Sequence, residues 1–147
     1  MIKFKRTDLK YGVFSNFSPV NIVYDGIEYN STEAAWQAQK CIDKKDRIKF
    51  SNMTPSQAKQ AGRRVKLRPD WEDVKLDLME KICFIKFSQS PFKEILLNTG
   101  NEEIVEDTTG WHDNIWGNCS CGRCANRPGK NLLGKTLMKI RDRLKEE

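Results

Sequence analysis

A single histidine stands in this sequence, and that scarcity removes most histidine-based chemistry at the outset. A serine–histidine–acid triad or a multi-histidine metal site would have to be built on His112 alone. No glycine-rich loop of the Walker type occurs, so the usual phosphate cradle of nucleotide hydrolases is missing. No apolar run approaches the ~20 residues that a membrane-spanning helix needs. The first ten residues, MIKFKRTDLK, carry charge but lack the apolar stretch of a signal peptide. A cytoplasmic protein with no membrane attachment is expected. Internal repeats, low-complexity tracts and linkers are also absent, so one domain over residues 1–147 is expected. The five cysteines are an odd number, which argues against a secreted disulfide framework. Cys41 and Cys83 sit alone in apolar helical surroundings and read as small core residues in a reducing compartment.

Hydrophobic residues make up 38% of the chain and aromatics 10%, enough for one real core. The net charge is +6. Its excess lies in residues 1–100, since the last third balances eight bases against eight acids. Lys59, Arg63, Arg64, Lys66 and Arg68 follow one another with no acid between them. Such a patch suits phosphates on a nucleotide or a nucleic acid, or it is a solvated helix face.

The alternation in VNIVYDGIEYN, residues 20–30, predicts a β-hairpin turning at Asp25-Gly26. Short strands near Ile2–Phe4 and Ile104–Val105 are plausible partners. Helix signals dominate elsewhere. Asn30-Ser31-Thr32-Glu33 resembles a capping box and opens a helix to about Cys41. Thr54-Pro55-Ser56-Gln57 is a second box with proline at the first helical position. Asp70 caps a longer helix marked by Val74, Leu78, Ile82 and Ile85, and Ser90-Pro91 opens a short one ended by Gly100. Leu133, Leu137, Ile140 and Leu144 stripe the last helix. The sum is a mainly helical α+β fold with a small β-sheet.

Two regions could carry chemistry. Glu33 has one plain reading as a helix cap beside the helix dipole. Glu33, Gln37 and Lys40 also share one helical face, next to Trp36 and alanines, and could line a pocket. Residues 110–129 are the least core-like part of the chain. They hold Trp111, Trp116, His112, Asp113 and three cysteines in a Gly- and Asn-rich context. Tryptophan in such a loop fits a flat ligand surface, because indole stacks on bases; the alternative is a plug for the core. Cys119, Cys121 and Cys124 form a tight thiol cluster, and His112 is the obvious fourth ligand for a tetrahedral zinc. The alternative is three reduced free thiols. Four protein ligands would make any zinc structural, so no catalytic cofactor is expected.

Several ordered pieces then resemble one family. Phe14-Ser15-Asn16-Phe17-Ser18-Pro19 resembles its FSNF-x-P element, and Ser31 to Lys40 its TSEH-x-x-QAQK helix. Ala61-Gly62-Arg63 and Arg68-Pro69-Asp70-Trp71 resemble the Gly-Arg and D-W elements that follow. Asp113-x-x-Trp116-Gly117 is similar to its D-x-x-WG loop, and Gly129 to Arg141 to its GKN-x-LG-x-x-LM-x-x-R helix. On these motifs, spread over residues 12–145, the chain resembles the NADAR (YbiA-like) superfamily of N-glycosidases.

The resemblance implies hydrolysis of a ribosyl C–N bond. Family substrates fall into two classes: ADP-ribosylated guanine in nucleic acid, and phosphorylated ribosylamino-pyrimidine intermediates of riboflavin synthesis. The stand-alone chain and its basic excess favour the first. A toxin ADP-ribosyltransferase is then the implied functional counterpart. By resemblance Glu33 matches the catalytic glutamate. Asn16, Phe17, Gln37, Arg63, Trp71, Trp116, Gly117, Lys130 and Asn131 fall around the ligand, with Lys40 and Asp113 assisting. Glu33 would stabilise an oxocarbenium-like state and orient water. Lys40 would donate to the departing base and Asp113 would position base or water. Trp71 and Trp116 would stack, and Arg63 and Lys130 would hold phosphates. Two departures stand out. Ala34 replaces the histidine usual after the glutamate, and Asn118 replaces an acid common after Trp-Gly. They leave room for a module that binds ADP-ribose or NAD without cutting. The cysteines and the basic patch alone would suit a small zinc-stabilised nucleic-acid-binding protein.

Overall fold

Along the chain the elements run β1 (Ile2–Phe4), β2 (Pro19–Tyr24), β3 (Ile27–Ser31), α1 (Thr32–Ala38), α2 (Lys44–Ile48), α3 (Pro55–Gly62), α4 (Trp71–Phe87), α5 (Phe92–Leu97), β4 (Ile104–Glu106) and α6 (Leu132–Lys145). They come from a computed structural model that describes residues 1–147. The fold is α+β and mainly helical, as expected. Its strands form two separate two-stranded pairs and not one small sheet. By contacts the chain divides into residues 16–89 and residues 1–15 with 90–147. No helix is long and apolar enough to cross a membrane.

In residues 16–89 the hairpin forms where the sequence predicts it. Asp25 and Gly26 take φ values of 50° and 78°, the left-handed backbone that a tight turn between two twisted strands demands. Ile22 faces Tyr29 and Tyr24 faces Ile27 across the pair. Along β3, Ile27, Tyr29 and Ser31 point inward and Glu28 and Asn30 outward. The chain enters α1 with no intervening loop, because Ser31 ends β3 and caps the helix. Helix α1 packs against the hairpin, α3 and α4, and all seven of its residues are buried. Ala34, Ala35 and Ala38 let neighbours approach it closely. The capping box at the head of α3 forms in full: Thr54 Oγ1 accepts from Gln57 N at 3.2 Å, and Gln57 Oε1 accepts from Thr54 N at 3.0 Å. Helix α2 buries none of its five residues, so it had no apolar period to betray it.

In the other unit β1 pairs parallel with β4, Ile2 beside Ile104. Helix α6 lies on β4 and α5 on α6. The stripe Leu133, Leu137, Ile140 and Leu144 is buried as its spacing requires. Arg141 is buried on the same helix, with Nη1 donating to Thr99 Oγ1 and to the carbonyl of Glu102, both at 2.8 Å.

Lys86 of α4 is 0% exposed, and its Nζ donates to Ser18 Oγ at 2.8 Å. Burial pushes its pKa down to about 7 from 10.5. Between those two values the unfolded chain holds a proton that the folded chain resists binding, so stability rises with pH across that window. Thermal melts of the native protein should therefore shift upward from pH 7 to pH 9. Lys86→Met should flatten that rise; equal slopes for the two proteins would remove Lys86 as its cause.

Candidate active site

Helix α1 begins on Ser31, whose Oγ accepts the N–H of Ala34 at 3.1 Å. The expected box between Asn30 and Glu33 does not form. Glu33 stands at the second helical position, one short of the place from which it could reach back to the cap. Its backbone N–H donates to the carbonyl of Asn16 at 3.0 Å. Its side chain is only 7% exposed, and Oε1 accepts from Gln37 Nε2 at 3.0 Å. The carboxylate therefore lies among buried groups and is not a solvated cap.

Gln37 lies one turn along the same face of α1. Gln37 Oε1 is buried with no donor. Gly62 of α3 approaches it so closely that a Cβ there would fall 1.9 Å from Oε1. The helix expected to run to about Cys41 ends at Ala38, and half-buried Lys40 stands in the turn beyond it, its Nζ 5.5 Å from the Trp36 ring centroid and 5.7 Å from that of Trp71. The two indoles lie 5.0 Å apart with a 54° tilt. Burial lowers the Lys40 pKa below that of an ordinary lysine; the Glu33 carboxylate acts against this, and Arg63 and Lys75 reinforce it. Glu33, Lys40 and Arg63 thus share one electrostatic neighbourhood.

Two expectations for this unit change. Trp71 was expected to stack on the base, yet it is 5% exposed, packed on Trp36 beneath the Lys40 ammonium. Its indole holds the lysine by cation–π attraction and presents no open stacking face. Trp36, absent from the predicted site, has the same part and is fixed by Nε1 donating to the Lys75 carbonyl at 3.0 Å. The four-residue step from Trp36 to Lys40 was the signal that could have found it. The basic patch is also smaller than its sequence suggests. Arg68 is held by both oxygens of Asp70 at 2.7 and 3.0 Å, and Lys59 lies over the Phe17 ring at 5.9 Å. Arg63, Arg64 and Lys66 are left exposed. Asn16 reaches Met79 Sδ and accepts from Cys83 Sγ, besides holding Glu33 through its backbone.

In residues 107–131 the predicted loop is tightly sewn. Asp113 Oδ1 accepts the N–H groups of Ile115 and Trp116, both at 2.9 Å, so this carboxylate shapes the turn that carries Trp116. Asn114 and Asn118, not predicted, act as staples. Asn114 Oδ1 accepts from Cys119 N at 2.9 Å, and Asn118 Oδ1 accepts from Gly129 N at 2.7 Å. Gly117 is required by packing, since a Cβ would fall 2.4 Å from Thr108 Cγ2. Asn131 caps α6 at φ 52°. Its side chain donates to Ile104 O at 2.8 Å and accepts from Glu106 N at 3.2 Å. Its amide thus braces β4. Lys130 is exposed beside a cavity of ≈ 330 Å³ that Lys3, Asn118 and Lys135 also line.

The thiol cluster assembles with the histidine, as its spacing suggested. His112 Nδ1 lies 3.4 Å from Cys119 Sγ, 3.4 Å from Cys121 Sγ and 3.5 Å from Cys124 Sγ. All four ligand atoms fall within 4.8 Å of one another and form a group able to hold a metal. The backbone N–H of Cys121 is the main influence drawing the Cys119 thiol pKa down to about 6.

Comparison with known proteins agrees with this architecture. The NADAR domain family model matches residues 3–145, and the chain belongs to that family. The N-glycosidase Npun_R5314 of Nostoc punctiforme is 38% identical over 92% of this chain and 86% of its own length. The N-glycosidase YbiA of Escherichia coli is 38% identical over 98% of this chain and 88% of its own. The NMR structure of E. coli YbiA superposes with a TM-score of 0.83 at 35% identity, covering 99% of this chain and 84% of that one. A Vibrio vulnificus protein named as a riboflavin biosynthesis protein is 33% identical over 99% of this chain, but the match spans 39% of that protein.

The cap at Ser31 is what sets Glu33 in place. Ser31→Ala should lower stability by about 1 kcal/mol, read as a drop in melting temperature. An unchanged melting temperature would mean that the Asn16 carbonyl alone holds the start of α1.

Proposed function

We propose that this NADAR-domain chain is an N-glycosidase that hydrolyses a ribosyl C–N bond, and that its substrate is ADP-ribosylated guanine in nucleic acid. The observation that carries the reading is the buried Glu33 carboxylate, held by Gln37 one turn along α1, with the half-buried Lys40 just beyond the helix and within its electrostatic reach. Cleavage of such a bond passes through an oxocarbenium-like state, which a desolvated carboxylate stabilises and to which it can direct water. Lys40, whose proton is made more labile by burial, supplies it to the departing base. Trp36 and Trp71 hold the lysine in position, and Arg63 offers a charge to a phosphate. Asp113 acts through the shape of the Trp116 loop. The basic excess and exposed Arg63, Arg64 and Lys66 support a polyanionic substrate. The implied counterpart is an ADP-ribosyltransferase that makes the modification, with both proteins in the cytoplasm.

A second reading rests on the Vibrio relative's name: hydrolysis of a phosphorylated ribosylamino-pyrimidine. Incubation with guanine-ADP-ribosylated DNA or RNA and, separately, with the pyrimidine intermediate distinguishes the two by the product released. Glu33→Gln should cut turnover at least about 100-fold while leaving ligand binding in place. An active Glu33→Gln protein would sink the assignment, and ADP-ribose binding without turnover of either substrate would mark a non-catalytic module.

The metal-binding group is read as a structural zinc site. A tetrahedral zinc with three thiolates and one imidazole places nitrogen and sulfur about 3.6 Å apart. The distances around His112 Nδ1 are 3.4 to 3.5 Å. Four protein ligands leave no open coordination position, so the ion would order the loop and take no part in hydrolysis. Purified protein should hold about one zinc per chain. Stripping it with a chelator should lower the melting temperature, and Cys119→Ser should abolish retention. Protein free of zinc with an unaltered melting temperature would leave the cysteines as reduced thiols.

A further inference from the structure

Trp111 is absorbed by none of the roles above. It is 47% exposed, whereas Trp36 and Trp71 are buried. Its placement is not loose. Its backbone N–H and that of His112 both donate to the Thr108 carbonyl, at 3.1 and 3.0 Å. Left-handed residues flank it, Gly110 at φ 116° and His112 at φ 58°. An indole is thus presented to solvent from a turn held in two ways, by the Thr108 carbonyl and by the thiol cluster around His112.

Two arginines project from the same centre. Arg123 lies between the ligands Cys121 and Cys124, and the Arg127 N–H donates to the Cys124 carbonyl at 2.9 Å. Both are exposed, and neither guanidinium has a hydrogen-bond or ionic partner within the chain. The four ligand atoms lie within 4.8 Å of one another. Trp111 and Arg123 each adjoin a ligand residue, and Arg127 is three residues beyond one. The three side chains therefore start within about 20 Å of one another. Residues 114–131 hold Arg123, Arg127 and Lys130 and no acid. A divalent ion on three thiolates leaves one negative charge, and Asp113 adds another with Oδ1 already engaged by two N–H groups. The local balance stays positive.

We propose that this metal-centred loop is a contact surface for single-stranded nucleic acid, with Trp111 stacking on a base and Arg123 and Arg127 meeting phosphates on either side. An exposed aromatic face with unpaired cations anchored on the same cluster suits the alternation of base and phosphate along a strand, and stacking of this kind is indifferent to sequence. A metal-tied loop holds the three groups ready, so little ordering is needed on binding. The exposed Arg63, Arg64 and Lys66 offer charge but no open aromatic ring. The inference rests on the nucleic-acid reading of the substrate, and it adds a place of contact outside the chemistry.

The test uses the full-length, metal-loaded protein and a fluorescein-labelled, unmodified single-stranded DNA of about ten nucleotides. The probe carries no ADP-ribose, so the result does not depend on whether the chain cuts that bond. Trp111→Ala should weaken binding about tenfold at fixed salt and leave the salt dependence as it is. Arg123→Gln with Arg127→Gln should reduce the slope of log affinity against log salt by about 1.4, at roughly 0.7 for each phosphate no longer neutralised. Retained metal and an unchanged melting temperature confirm that each variant folds. Binding to the probe with this split, even in a protein inert on both glycoside substrates, supports the contact surface. Absence of binding by the native protein overturns it. So does a loss that follows Arg64→Gln and Lys66→Gln while the Trp111 and Arg123/Arg127 variants bind normally.

Discussion

Burial of α1 along its whole length is the constraint to which the rest of the 16–89 unit answers. A seven-residue helix with no solvent-facing side has to accommodate a carboxylate and an amide inside the protein. An uncompensated charge there would be costly, so its surroundings are organised around it. The Asn16 carbonyl and the Ser31 hydroxyl take two of the N–H groups that the helix start leaves over. Gln37 reaches back one turn to Glu33. Lys40 supplies opposite charge from the turn just beyond the helix, and a pair of indoles holds it there. The hairpin that precedes α1 runs into it without a loop, which fixes where the helix can start.

The other unit solves a different problem with different means. Residues 107–131 contain little apolar material with which to build a core of their own. Their order comes from directional bonds. The carbonyls of Asn114, Ile115, Trp116 and Gly117 accept the N–H groups of Lys130, Leu132, Leu133 and Asn131, docking the loop against the start of α6. Asparagine side chains and the thiol–imidazole cluster complete the set. Asparagine is well suited to the task because one side chain both donates and accepts, and Asn131 uses both functions to hold β4.

What was legible in the sequence follows from this contrast. Elements written in hydrophobic period or turn chemistry were readable: the Asp25-Gly26 hairpin, the Thr54 box, the α6 stripe. The thiol–histidine group was readable because ligand spacing is local. Elements specified by long-range bonds were not. Helix α2 has no buried residue to give it a period, and the roles of Asn114 and Asn118 exist only once the loop has closed. The expected helix position of Glu33 was off by one residue, since Asn30 and Ser31 are both good caps and only the end of β3 decides between them. Trp71 was legible as important but not as buried, because a motif records that a tryptophan is present and not which face of it is covered.

The meeting of Gly62 with Gln37 has a consequence for how such a chain can change. The amide oxygen and the missing Cβ occupy the same space, so the two positions are one unit of variation. A larger residue on α3 becomes tolerable only together with a shorter one on α1, and the shorter one would remove the amide that holds Glu33. Drift at position 62 is thereby tied to the carboxylate through a residue that need never touch a substrate. In an alignment of relatives the pair should covary, and Gly62 would mark the site from the outside.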